Sequence, residues 1–186
     1  ITLSTYLFLY TPSIKDVVTG TQSNFAASGG FGPNQVSTAL GLGMFVFCVN
    51  FFLNSKTLFL KTLNILLFSL IAFRGIVTFS RGGILTAILM IATFLFMVYL
   101  KSNKKQKSMI VIYFFSLIAI ASLVWIVSSS QTSGLIDKRY AGQDKLGREK
   151  EDVSAGRVNI FMSELEGFID HPFLGVGAIE MKEIRL

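Results

Sequence analysis

The amino-acid sequence predicts an all-α protein, a polytopic transmembrane helical bundle that leads into a large, partly helical polar segment. Three observations carry this. Apolar residues make up 52% of the chain and the mean hydropathy is +0.60, outside the range of an ordinary soluble domain. Nearly uncharged runs of membrane-spanning length recur from residue 1 to residue 128. Charge is divided unevenly: residues 1–128 hold nine Lys or Arg and one acid, Asp16, whereas residues 129–186 hold eight Lys or Arg and ten Asp or Glu.

Taken in order, residues 1–10 read as the end of a first span. The chain opens at Ile1 inside an apolar run and reaches Leu186 with no terminus signal, so a piece of a longer protein is expected. The opening run is not read as a signal peptide, because no basic n-region and no small-residue cleavage site accompany it. Residues 11–35 are polar and rich in turn formers, as in Ser28-Gly29-Gly30-Phe31-Gly32-Pro33-Asn34, and form an extramembrane loop. The next span covers Val36–Leu53, uncharged throughout, with Gly41 and Gly43 open to close helix approach. After the turn Asn54-Ser55-Lys56, spans are predicted over 57–77, 82–100 and 109–127, with Trp125 placed as an interface anchor. Residues 101–107 read as a short basic loop.

The segment 129–186 changes character. Ser128–Gly134 reads as a flexible exit, and residues 137–156 mix charge with glycine in the manner of a mobile loop. Val158, Phe161, Leu165 and Phe168 then recur at helical spacing and predict an amphipathic helix over 157–169, with Ser154 as its N-cap. His171-Pro172 ends it, and Leu174-Gly175-Val176-Gly177 is a turn.

Four lysines in residues 101–107 put that loop in the cytoplasm by the positive-inside rule. Alternation then puts Lys56 inside, and Arg81, residues 11–35 and residues 129–186 outside. The basic excess is thus a topology signal and not a nucleic-acid footprint.

Few residues could carry chemistry. Arg81 lies in Thr78-Phe79-Ser80-Arg81-Gly82-Gly83, between two apolar runs where charge is expensive and tends to be functional. It reads either as a snorkelling end residue or as part of an anion site. For the second, Gly82 and Gly83 offer bare backbone N–H groups at a helix start, and the guanidinium adds bidentate phosphate binding. Arg74, seven residues earlier, is read as a structural or headgroup contact. Arg157, at the start of the amphipathic helix, opposes the helix dipole unless an anion is shared there. His171, the single histidine, is read as a capping or packing residue before a general base. Cys48 reads as a small buried hydrophobe, and no His/Cys cluster points to a metal.

Phe31-Gly-Pro-Asn-Gln-Val-Ser-Thr-Ala-Leu40, Ser80-Arg-Gly-Gly83, and Ser154-Ala-Gly-Arg157 leading to His171-Pro-Phe-Leu-Gly-Val-Gly177 together resemble the O-antigen ligase family. The resemblance implies a GT-C-like, multi-pass enzyme of the bacterial inner membrane with a large periplasmic loop, here 129–186. Such enzymes move a glycan from undecaprenyl diphosphate to an acceptor such as lipid A–core, with no cofactor and no metal. Arg81 and Arg157 would bind the lipid diphosphate, with Arg74, Gly82, Gly83 and His171 as secondary candidates. The resemblance places the catalytic histidine beyond residue 186, so the chain as given is expected to be inactive. A polymerase of the same family, a protein glycosyltransferase and a polysaccharide-lipid transporter are the competing readings. The first two share the donor chemistry; the last predicts charges on several spans and inverted repeats.

Overall fold

The computed structural model describes residues 2–11, 13–149, 156–172, 175 and 177. Its elements are helices α1 (Thr2–Tyr10), α2 (Ile14–Val17), α3 (Pro33–Leu53), α4 (Leu58–Val77), α5 (Arg81–Lys101), α6 (Lys104–Gln131), α7 (Leu135–Tyr140) and α8 (Arg157–Asp170). Two compact units divide the chain, residues 1–148 and 149–186, and each is described by itself. Among the described residues four helices, α3 to α6, are long and apolar enough to cross a membrane.

Local signals set the helix ends. Pro33 opens α3, where its fixed φ suits the first turn and its missing N–H leaves nothing unpaired. At the far end the Ser55 hydroxyl donates to the Asn50 carbonyl, turning the chain into α4. Thr57 caps α4 by accepting from the Leu60 amide. Asn103 starts α6, with its own amide held by the Gln106 side chain.

The core lies among α3, α4 and α5. Val36, Leu40, Met44 and Cys48 form a buried stripe at helical spacing on α3. They face Phe68, Ile71, Ala72 and Ile76 of α4 and Ile84, Ala87, Ile91 and Leu95 of α5. Cys48 is a buried free thiol packed in this core, as its apolar surroundings predict. The backbones of α3 and α5 nearly touch: a Cβ on Gly83 would lie 2.3 Å from the Ser37 backbone, and one on Gly41 2.5 Å from the Gly83 carbonyl oxygen. Ser37/Gly41 and Gly83/Ala87 are thus paired small residues one turn apart, the pattern by which helices approach closely in lipid. Gly43 instead meets Ile71 at ordinary contact distance.

Much of the outer surface of α5 and α6 is apolar and exposed, including Leu85, Leu89, Phe96, Phe115, Leu123 and Ile126. On a soluble protein such a surface would be an adhesive patch. On helices of this length it is a lipid-facing one, and the protein is a multi-pass membrane protein.

Three expectations from the sequence are corrected. The basic stretch 101–107 is nearly all helical, with only Ser102 and Asn103 between α5 and α6, because lysine and glutamine are good helix formers once a cap is supplied. The exit after 128 is not flexible: α6 runs on to Gln131, and buried Ser128 and Thr132 hydroxyls donate back to Val124 and Ser128 carbonyls. The stretch from 137 is not a mobile loop at its start. It begins within α7 and continues into a tight turn around Asp144, whose carboxylate accepts from the Leu146 and Arg148 amides and the Arg148 guanidinium. Those bonds, the Arg148 amide first, hold its carboxyl below the ordinary range. The Ser154 cap falls outside the described residues. The helix it was to start spans Arg157–Asp170, preceded by Gly156 at φ +80°.

Candidate functional site

The site is built around the turn between α4 and α5. Thr78 continues the helical geometry, and its hydroxyl donates to the Gly75 carbonyl at 2.7 Å. Phe79 then takes φ +59°, left-handed for a residue that has a side chain, and is fully buried. A non-glycine residue in that region carries about 1–3 kcal/mol of strain and persists only where its surroundings over-determine it.

Here they do, through three successive carbonyls held from three different parts of the chain. The Thr78 carbonyl accepts from the Asn24 amide at 3.1 Å, in the loop before α3. The Phe79 carbonyl accepts from Arg139 Nε at 3.2 Å, in α7. The Ser80 carbonyl accepts from the Ser37 hydroxyl at 3.0 Å, on α3. Ser80 also donates its hydroxyl to Asn34 Oδ1 at 2.7 Å. Asn24 is itself a hub, donating to the Val17 carbonyl and accepting from the Ala27 amide. Arg81 therefore heads α5 from a turn fixed on every side, with its own side chain half-buried.

Arg139 is carried by an elbow at the end of α6. Ser133 and Gly134 both have positive φ, +52° and +74°, and reverse the chain into α7. Asp137 accepts from Trp125 Nε1 at 2.7 Å and from the Ser129 hydroxyl. The Tyr140 ring packs edge-on against Trp125, with centroids 4.8 Å apart. Trp125, expected as an interface anchor, thus ties α7 to α6. The Tyr140 hydroxyl is buried and has no hydrogen-bond partner among the described residues. Burial pushes its phenol up from the ordinary tyrosine value, while the charges of Arg81 and Arg139 pull it back in part.

Arg74 sits in the last turn of α4, only 5% exposed. Its guanidinium lies over the Phe8 ring, 4.1 Å from the centroid, and its Nε and Nη1 have no hydrogen-bond partner among the described residues. Gly83 has a packing role against Ser37, while Gly82 faces open space. Arg74, Arg81, Gly82 and Gly83 thus share one end of the first unit. Arg157 and His171 belong to the second, where exposed Arg157 opens α8 and His171 closes it, its amide donating to the Gly167 carbonyl. Among the described residues no group of three or more His, Cys, Asp or Glu stands together as a metal ligand set.

Sequence reading missed Arg139, Tyr140 and Asn24. Arg139 and Tyr140 stand in a charged stretch without apolar period, where nothing marks one arginine over its neighbours. An apolar groove of about 550 Å³ runs between α4, α5 and α6, with Ile84, Ile88 and Phe114 along it and Tyr140 among its lining residues.

A family model described as O-Antigen ligase matches residues 66–185, well over half of the chain. No curated protein and no solved structure matches it. The match takes in the Arg81 turn, α5, α6, the elbow and α8, and the chain belongs to the O-antigen ligase family, multi-pass membrane proteins of glycosyltransferase type.

Proposed function

We propose that the protein transfers a glycan from a lipid diphosphate carrier, undecaprenyl diphosphate, to an acceptor such as lipid A–core at the outer face of the bacterial inner membrane. The observation that carries this reading is the Arg81 turn, a cation at a helix start whose backbone is fixed from three elements. A turn of that kind is preorganised to receive charge without rearranging. The groove between α4, α5 and α6 offers an apolar path for a prenyl chain, and the four lysines of 101–107 support a periplasmic reading of the Arg81 end.

In this reading Arg81 binds the donor's diphosphate, and Arg157 is proposed separately as a further diphosphate-binding residue. An acceptor hydroxyl oxygen attacks the anomeric carbon as the bond from that carbon to the diphosphate oxygen breaks. The electron pair leaves with the diphosphate, whose growing charge a guanidinium stabilises in place of a metal. The acceptor's proton passes to a base. That role is not given to His171, which belongs to the turn after α8. Arg74, held under Phe8, supports the same end of the bundle from within.

The test is glycan transfer by the full-length protein in membranes, carrying the Arg81→Ala substitution. A loss of roughly 10²–10³-fold at normal abundance is expected, the scale for removing one preorganised donor to developing charge. Transfer near the wild-type rate would remove the basis of the reading. In a deletion strain, accumulation of unligated lipid-linked polymer marks a ligase, whereas loss of the polymer ladder marks a polymerase.

A further inference from the structure

We infer that Arg139 is a positioning residue for Arg81, acting through the carbonyl of Phe79. The inference rests on the reading that Arg81 meets the donor's diphosphate, and it adds a residue which that reading does not contain.

Of the three consecutive carbonyls in the turn, two are met by neutral donors, the Asn24 amide and the Ser37 hydroxyl. The middle one, on the left-handed residue, is met by a guanidinium sixty residues further along the chain. A charged donor makes the stronger bond. It is placed where it opposes relaxation of Phe79 out of the left-handed region, and any such relaxation would swing Arg81, two residues on, away from its present direction.

The arginine is itself held. Asp137 is fixed by Trp125 and Ser129, and the Tyr140 ring rests on Trp125, so the residue between them cannot drift from α6. A line of contacts therefore runs from the end of the last span through α7 to the Phe79 carbonyl and on to Arg81.

The experiment compares Arg139→Gln with the wild type in the full-length protein, assayed in membranes with lipid-diphosphate donor and its acceptor. If Arg139 acts through Arg81, kcat falls about 10-fold, the scale of one hydrogen bond with a charged partner, while KM for the acceptor stays within about 2-fold. Arg139→Lys, which keeps the charge and a donor, recovers to within about 3-fold of the wild type. In an Arg81→Ala background the Arg139→Gln change lowers transfer by less than about 2-fold further, because the group it positions is gone.

An Arg139→Gln enzyme within 2-fold of the wild type would overturn the inference, and so would losses that multiply in the double variant. Should Arg139→Gln fail to accumulate, Arg139→Met keeps the apolar stem and is read by the same two criteria. Failure of the donor reading looks different. There Arg81→Ala retains transfer whatever Arg139 does, whereas failure of this inference alone leaves Arg81→Ala inactive and Arg139→Gln active.

Discussion

The two ends of the bundle hold their cations in opposite ways. At the end with Lys56, Lys101, Lys104 and Lys105, the ammonium groups are exposed. Where contacts form there they are to tyrosine side chains, as with Lys61 over Tyr113 at 5.4 Å from the centroid and Lys107 over Tyr99 at 5.0 Å. At the other end Arg74 is buried, Arg81 heads a helix from a clamped turn, and Arg139 makes one of the clamps. Thr78, Ser80, Ser37 and Ser128 are buried there too. The lysine end needs only charge, since a topology signal acts through the number of cations near the bilayer. On the proposed function the arginine end needs direction, since binding an anion requires the guanidinium plane to be aimed.

The largest effect that would break this contrast is Arg81→Ala, with its expected 10²–10³-fold loss of transfer against no more than a small loss for any single lysine. The close approach of α3 and α5 ranks next. A methyl at position 83 meets the Ser37 backbone, which cannot yield as a flexible side chain would. Gly83→Ala is expected to destabilise the bundle by about 1–3 kcal/mol, the usual scale of overpacking, seen as a lower thermal midpoint of the detergent-solubilised protein. Because Ser37 also holds the Ser80 carbonyl, transfer should fall along with stability. A variant as stable as the wild type would mean that the two backbones do not approach so closely.

Much of this fold is written in the sequence. Span positions follow from charge-free runs, and Arg81 stands out because a lone cation between such runs has few uses. The clamps are not legible in the same way. Phe79 is a poor predictor of a left-handed turn, since that conformation is imposed by tertiary contacts and not by its own preference. Asn24 and Arg139 act across 54 and 60 positions of the chain, and no local pattern marks either one. Gly83 was legible as a glycine with a purpose, but packing against Ser37 depends on a helix forty-odd residues earlier. The charge density of the basic run 101–107 has the look of a loop, while its residues are helix formers.

A smaller effect sharpens the role of the elbow. Asp137→Ala removes the acceptor of both Trp125 and the Ser129 hydroxyl. The carboxylate is exposed, so the stability cost is expected to be modest, about 1 kcal/mol. Its consequence for transfer should be larger than that figure suggests if α7 carries Arg139 to the Phe79 carbonyl. Trp125 fluorescence supplies an independent readout: the emission should shift in Asp137→Ala and stay unchanged in a lysine-end variant. An unchanged spectrum together with unchanged transfer would show that α7 keeps its place without this contact.

The smallest expected effect belongs to the lysine end, and it completes the comparison. Lys61 donates to the Tyr113 hydroxyl at 3.2 Å and lies near the same ring, itself edge-on to Phe51 and Phe52. Lys61→Ala loses one partly exposed contact, worth at most about 0.5–1 kcal/mol, and leaves the three rings packed as before. Transfer should stay within about 2-fold of the wild type and the thermal midpoint should move by a few degrees at most. Lys61→Glu is the sharper form, since it changes the sign of the charge where only the number of cations is held to matter. If orientation depends on the total, the remaining lysines leave it unchanged and a reporter fused at this end reads out on the same side as in the wild type. A strong loss of transfer with orientation intact would mean that a cation at this end is also aimed, and the division of labour between the two ends would fail.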